Sequence, residues 1–222
     1  MSTVFIKKSV KITVFALSLL VTLFACVYAK LINGAVQVTT EKKFYYVVAD
    51  DFHLQASTYE TLLKGGAGYL LETKTGDYAA YQVYFSKTNA ENVCKNLNAP
   101  SKIVAVTVKN GYLKTEKEKA RQVKNAFSCL DDCIEVLNGE IVRLENGATQ
   151  ESSRRVLESL TRQCNYLSKA YAALLPKHAK LMKTMEEGLT ASTEGIIYTK
   201  NLRYILCQTC FEYARLSEEY AL

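Results

Sequence analysis

The chain has 222 residues, of which 49% are hydrophobic and 23% charged, the composition of an ordinary folded protein. An intrinsically disordered or collagen-like chain is therefore excluded. The formal net charge is +6, but residues 1–40 alone contribute +4, through four lysines and no acidic residue. The remaining chain lacks the basic surplus that binding to a phosphate backbone requires, so the composition excludes a nucleic-acid-binding protein.

The N-terminal segment has the pattern of a single membrane span. Three lysines between residues 7 and 11 precede eighteen uncharged, mostly apolar residues, 12–29. As a helix this run would be about 27 Å long, close to the thickness of the hydrocarbon core. Lysines before a span stay in the cytoplasm. Residues 1–30 are therefore predicted to be a cytoplasmic tip and transmembrane anchor in the cell membrane, with the rest of the chain extracytoplasmic.

Two alternatives to a permanent anchor stay open. Val27-Tyr28-Ala29 resembles a signal peptidase site, although the apolar run is longer than the roughly 7–15 residues of a cleaved signal. Leu23-Phe24-Ala25-Cys26 resembles a lipidation motif, although the bulky Phe fits it poorly.

The sequence pattern after the membrane segment predicts a tether at residues 31–43, followed by a small α+β domain at residues 44–110. Aromatic and β-branched runs indicate strands, and apolar residues at three- and four-residue spacing indicate helices. Gly76-Asp77 is a turn between two paired strands. The order is βαββαβ, with a four-stranded antiparallel sheet. The strands are predicted at 44–49, 68–73, 78–85 and 103–108, and the helices at 54–64 and 89–97.

Three local motifs within this domain carry a resemblance to a known family. They are an aromatic-rich first strand that leads to Phe52, a helix that ends at Gly65-Gly-Ala-Gly-Tyr69, and a third strand that leads through Tyr84 into Ser86-Lys-Thr-Asn-Ala90. Together with the element order, these residues resemble the sporulation-related repeat (SPOR) domain, over residues 44–108 only. The resemblance implies a ferredoxin-like fold outside a membrane anchor and a role in cell division or sporulation.

The same resemblance implies that peptidoglycan glycan strands bind on the open face of the sheet. Since strand side chains alternate between faces, Tyr78 and Gln82 are predicted to share one face, with Val83 and Ala79 turned towards the helices. The first strand is predicted to add two neighbours to the open face. The predicted glycan-binding residues are therefore Tyr46, Val48, Tyr78 and Gln82, with Val48 at a position where many family members have Gln.

Residues 111–222 have a different pattern, that of long amphipathic helices. Apolar residues alternate steps of three and four from Val123 to Leu144 and again from Leu157 to Met185, and a third helix is predicted at about 194–219. The second helix is either kinked or split at Pro176. The pattern predicts an antiparallel three-helix bundle, which would offer a surface for an envelope protein partner.

The candidate chemical groups favour structural roles. Cys207 and Cys210 have the spacing of a zinc or redox motif but lie within a predicted helix, where they are expected to be core residues. A four-thiolate zinc site shared with Cys129 and Cys133 stays open as an alternative. His178 lies on an apolar stripe and is expected to be a core histidine. The sequence therefore predicts no catalytic residue, no cofactor and no metal site, and a protein that is not an enzyme.

Two functions compete on this basis. In the first, the protein binds peptidoglycan through the SPOR-like domain. In the second, that domain is degenerate and the helical part is a scaffold that binds another envelope protein or associates with a second copy of itself. The first requires polar and aromatic groups on an open sheet face, and the second requires a contiguous apolar patch on the helical bundle.

Overall fold

The computed structural model describes residues 34–50, 61–62 and 65–221. The predicted membrane segment and most of the predicted helix 54–64 lie outside the described residues. The described part is a mixed α+β structure with two antiparallel sheets and five helices. The strands are β1 Val36–Thr39, β2 Lys42–Ala49, β3 Tyr69–Thr73, β4 Gly76–Tyr84, β5 Ser101–Val108 and β6 Gly111–Leu113, and the helices are α1 Lys87–Asn96, α2 Lys117–Glu145, α3 Gln150–Tyr171, α4 Pro176–Thr193 and α5 Thr199–Glu218.

The larger sheet has four strands in the order β3-β4-β2-β5. All three neighbouring pairs are antiparallel, which confirms the antiparallel sheet predicted from the sequence. The central strand β2 has the sequence KKFYYVVA, and its last four residues are all buried. A strand buried on both of its faces favours β-branched and aromatic residues, and this composition made β2 predictable.

The smaller sheet pairs β1 with β6. β1 lies within the predicted tether, so that segment is not simply a linker: Val38 is buried in the main core and the Thr39 hydroxyl donates to the carbonyl of Lys109, at 2.7 Å. The Tyr112 amide donates to the carbonyl of Tyr220, at 2.8 Å. The small sheet therefore ties the start of the described chain to its C-terminal end.

The helical part contains four long helices, so the predicted three-helix bundle is wrong in the number of helices. Pro176 is the reason, because α4 begins at this residue and Leu175 precedes it as the N-cap. Proline is well tolerated in the first turn of a helix, where its missing amide has no intrahelical partner. The predicted second helix is therefore split rather than kinked.

Each of the four helices lies antiparallel to two others. Contacts between side chains near the ends and middles of the helices fix this arrangement. They join Asn165 of α3 to Glu186 of α4, Lys177 of α4 to Glu219 just after α5, and Arg203 of α5 to Glu145 of α2. Only the four residues 146–149 connect α2 to α3, so these two helices form a tight hairpin.

One hydrophobic core runs from the sheet into the helical bundle. It includes Phe44 and Tyr46 of β2, Phe127 of α2 and Tyr213 of α5. A smaller cluster lies on the other face of the sheet, where Ala90 of α1 packs against β2 and β4. Both faces of the sheet are therefore covered. No helix among the described residues is long and apolar enough to span a membrane.

His178 is a core residue of the bundle, as the sequence predicted. Its ring lies edge-on against Phe127 with 4.3 Å between the centroids, and its Nε2 atom has no hydrogen-bond partner in the described structure. Burial lowers the pKa of His178 to about 4, against a small opposing effect of the Glu219 carboxylate. The folded protein therefore holds this imidazole neutral.

The neutral imidazole makes the stability of the protein depend on pH. As the pH falls below 6.5, the unfolded chain binds a proton at His178, whereas the folded chain binds it only near pH 4. The stability that the neutral His178 contributes to the folded protein is therefore fully present above pH 6.5 and is lost as the pH falls towards 4. Between about pH 7.5 and about pH 5 we expect the free energy of unfolding to fall by about 2 kcal/mol from this group. Urea unfolding of the parent and of His178→Gln at both pH values measures it. An equal pH dependence in the two proteins would contradict the assignment.

Candidate functional site

The structure places the four residues of the predicted glycan site in different environments. Tyr46 and Val48 are fully buried, each with 0% exposure. Tyr78 is half-buried at the edge of the same hydrophobic core, and Gln82 is buried. The four side chains do not form an open surface, so the geometry predicted for this site is wrong.

An irregularity in the pairing of β2 with β4 explains why Gln82 is misplaced. Val47 pairs with Gln82 but Val48 pairs with Ala80, so β4 has one extra residue, Tyr81, at this point. An extra residue shifts the alternation of side chains by one position. Gln82 therefore shares the α1 side of the sheet with its partner Val47.

The prediction that Val83 and Ala79 share a face is wrong, and the same irregularity is the reason. Val83 pairs with Tyr46 and lies in the main core, whereas Ala79 lies in the smaller cluster under α1. Strict alternation of β4 predicted them together, and the extra residue between them separates them.

Helix α5 covers the sheet face that was predicted to be open. The Tyr46 hydroxyl donates a hydrogen bond to the carbonyl of Cys207, at 2.9 Å. Tyr69 of β3 packs edge-on against Tyr204, with ring centroids 5.4 Å apart. Burial raises the pKa of Tyr46 far above its usual range. The predicted glycan face is thus an internal interface between sheet and bundle.

One corner of this face remains partly open to solvent. The Nζ atom of Lys102 lies 4.6 Å from the centre of the Tyr78 ring and 2.7 Å from a carboxylate oxygen of Asp50. The Tyr78 hydroxyl donates to the carbonyl of Thr75, at 3.1 Å. Among the four predicted residues, all of which are described, only the Tyr78 side chain is partly exposed.

A polar cluster lies where β2 meets α2 and α5. Lys42 forms an ion pair with Asp131, and its Nζ atom lies 4.5 Å from the centre of the Tyr213 ring. The Tyr213 hydroxyl donates to the second carboxylate oxygen of Asp131, at 3.2 Å. Sequence analysis missed this cluster because no local pattern links residues that lie 89 and 82 positions apart.

Two open grooves adjoin these elements. The first, of about 490 Å³, lies beside the polar cluster between the start of β2, Phe85 and α2. The second, of about 710 Å³, lies between α4 and α5. Its lining contains two apolar side chains, the buried Leu181 and Leu216, two uncharged polar ones, Thr184 and Gln208, and a rim of charged side chains of both signs. The charged rim residues are Lys177, Lys180, Arg215, Glu212, Glu218 and Glu219.

The cysteines of α5 follow the predicted core arrangement rather than the zinc alternative. Cys207 and Cys210 are buried core residues, as predicted, and burial raises the pKa of both thiols. The alternative zinc site is not formed, because the structure does not bring Cys129 and Cys133 into one cluster with this pair. Within the described ranges, no group of three or more His, Cys, Asp or Glu residues is arranged to hold a metal ion.

Comparison of the chain with known protein families, with characterised proteins and with solved structures found no match. The resemblance to the SPOR domain therefore stays a prediction.

The burial of the sheet face against α5 can be tested by mutation. Tyr46→Ala would leave a cavity between β2 and α5, and we expect it to lower the free energy of unfolding by roughly 3–5 kcal/mol, the range for large aromatic side chains in cores. Tyr166→Ala is the matched control, because that side chain is 70% exposed and its loss should change stability by less than about 0.5 kcal/mol. Urea unfolding of both variants measures the difference. Equal small effects would mean that Tyr46 lies on an open face.

Proposed function

We propose that the protein is a non-enzymatic interaction protein of the cell envelope. Residues 12–29 anchor it in the cell membrane, and the folded part lies outside, where it binds another envelope protein through its helices. The observation that carries this proposal is the coverage of the sheet by α5, which buries the predicted glycan face and leaves a partner the outer surfaces of the helices.

The sheet supports the further proposal that the domain is a SPOR-like fold that has lost its open face. The order β3-β4-β2-β5 inserts β4 between β3 and β2, and β2 between β4 and β5, as in a split βαβ arrangement. In this chain α5 occupies the face that a family member would present to glycan strands. The sheet then serves as a structural layer.

Peptidoglycan binding is the second candidate function, and the open corner at Tyr78 favours it. An aromatic ring flanked by an ammonium and a carboxylate can hold a sugar through its CH groups and hydroxyls. The corner is small, however, because Tyr46 and Val48 are buried and cannot contact a ligand there. We therefore place this function second.

The groove between α4 and α5 is the surface best suited to a protein partner. Leu181 and Leu216 are the apolar side chains of its lining, and the ion pair of Lys177 with Glu219 joins the α4 side of the groove to the α5 side. Interfaces between proteins combine an apolar centre with a polar rim in this way. An amphipathic helix with both acidic and basic residues beside its apolar face would match this groove.

Sedimentation with purified sacculi separates the two candidate functions. We expect the full chain in detergent to stay in the supernatant, because the glycan face is internal. A fraction that pellets with sacculi, and that falls when Tyr78→Ala replaces the parent, would overturn the proposal and favour glycan binding at the open corner.

A photo-crosslinker tests the groove itself in intact membranes. Lys180 and Arg162 are both exposed, but only Lys180 lines the groove. We expect a crosslinker at position 180 to capture one identifiable envelope protein, and the same group at position 162 to capture none. The charge reversal Arg215→Glu, on the opposite rim, should reduce the capture at least several-fold. Capture that is equal at both positions, or unchanged by Arg215→Glu, would contradict this site.

The proposed orientation has its own test. Protease added to intact, wall-stripped cells should remove a C-terminal tag from the full chain, because three lysines hold the other end of the span in the cytoplasm. A tag that stays protected until the membrane is opened would show that the orientation is wrong.

A further inference from the structure

The charges on α2 are divided unequally between its two halves. Residues 117–130 contain four basic residues and one acidic residue, whereas residues 131–145 contain five acidic residues and one basic residue. One further lysine lies three residues before the helix begins. The basic side chains at this end are all exposed and together form a basic surface around the start of α2: Lys114, Lys117, Lys119, Arg121 and Lys124.

This order of charges opposes the dipole of the helix. The start of a helix carries a partial positive charge, so the stability of the helix favours acidic residues there and basic residues at its end. Among the described residues, only Arg121 of the basic surface forms an ion pair, with Glu118 at 3.0 Å. The stability of α2 therefore does not account for the basic surface, which indicates a partner of opposite charge outside the fold.

The described chain begins beside the basic surface. Val36 of β1 pairs with Leu113 of β6, and only three residues separate β6 from the start of α2. Further along the chain, Lys42 forms an ion pair with Asp131, which lies midway along α2. The segment from β1 to the start of β2 therefore follows the first half of α2, and its beginning lies at the basic end of the helix.

The predicted membrane span lies a few residues before this point. Residues 30–33 separate the end of the span, residue 29, from Gly34, and five peptide steps reach at most about 18 Å. The acidic half of α2 begins about 21 Å along the helix from Lys117. An anchored span therefore holds the basic half of α2 nearer to the membrane than the acidic half.

We propose that the basic surface binds the headgroups of anionic phospholipids, such as phosphatidylglycerol, in the membrane that holds the anchor. Ammonium and guanidinium groups form charge-assisted hydrogen bonds with phosphate oxygens. This attraction is strong only within about one Debye length, about 8 Å at physiological ionic strength, and the short connection to the span allows that approach.

This inference rests on the proposed membrane anchor and adds an orientation to it. A span alone leaves the folded part free to turn about its connection, whereas a second contact with lipid holds the start of α2 against the membrane surface. None of the five basic residues lines either groove. The lipid contact therefore leaves the groove between α4 and α5 accessible to a protein partner.

Acetylation of lysine side chains measures the lipid contact on the full chain. The chain is reconstituted into nanodiscs of phosphatidylcholine, with or without about 30% phosphatidylglycerol, and the rate at each lysine is read by tandem mass spectrometry. We expect Lys117, Lys119 and Lys124 to react at least about threefold more slowly in the anionic discs, because the headgroups shield the amines and keep them protonated. In 1 M salt this difference should disappear, because the Debye length falls to about 3 Å.

Lys200 is the internal control for this measurement. It is exposed, and it lies three residues before Arg203, which forms an ion pair with Glu145 at the far end of α2. The length of the helix places this lysine roughly 30–40 Å from the basic surface, well beyond a Debye length. Its acetylation rate should therefore be the same in both kinds of disc.

Two charge-reversed proteins test whether the basic surface itself makes the contact. The double variant Lys117→Glu with Lys124→Glu should remove most of the protection of Lys119 by phosphatidylglycerol, whereas Lys200→Glu should leave that protection unchanged. All three substitutions change exposed side chains, so the fold should be kept.

The outcomes separate a failure of the lipid contact from a failure of the anchor. If the chain enters both kinds of disc but the basic surface reacts equally in both, or if Lys200 is protected as strongly, the lipid contact is wrong and the anchor stands. Protection of Lys119 that persists in the double variant also contradicts the contact. A chain that does not co-purify with discs of either composition would overturn the membrane anchor, and this inference with it.

Discussion

The packing of α5 against the four-stranded sheet is the contact on which the rest of the structure depends. An antiparallel sheet can leave one face in water, but here α1 covers one face and α5 covers the other. Tyr46 illustrates the result, since its ring lies in the core and its hydroxyl bonds to the backbone of α5. The sheet and the helices therefore share one core, and neither face of the sheet is open to solvent across its centre.

The sequence predicted the elements whose signals are local. β2 was recognisable from an unbroken aromatic and β-branched run, and α2 from three heptads of apolar residues. β1 was missed because it is four residues long and its partner β6 begins more than 70 residues later. Pro176 was compatible with either a kink or a new helix, because proline fits both the first turn of a helix and a bend.

The predicted site failed for two physical reasons. The extra residue in β4 reverses the side-chain alternation after Tyr81, and no residue type in this strand signals an irregularity. The second reason is tertiary, because strand alternation can show that Tyr46 and Val48 share a face but not what covers that face. Both were correctly placed on one face with Tyr78, and α5 then removed that face from solvent.

The free energy needed to expose the sheet face determines where a ligand can bind. Removing α5 would expose side chains that are now fully buried, among them Tyr46, Leu71, Val83 and Cys207. Each such side chain contributes about 1.5–3 kcal/mol, and a domain has only about 5–15 kcal/mol of net stability. Because α5 also packs on α2 and α4, its release would open the bundle as well as the sheet. A ligand that binds the sheet face would therefore have to unfold much of the protein, whereas a partner in the groove between α4 and α5 leaves the core intact.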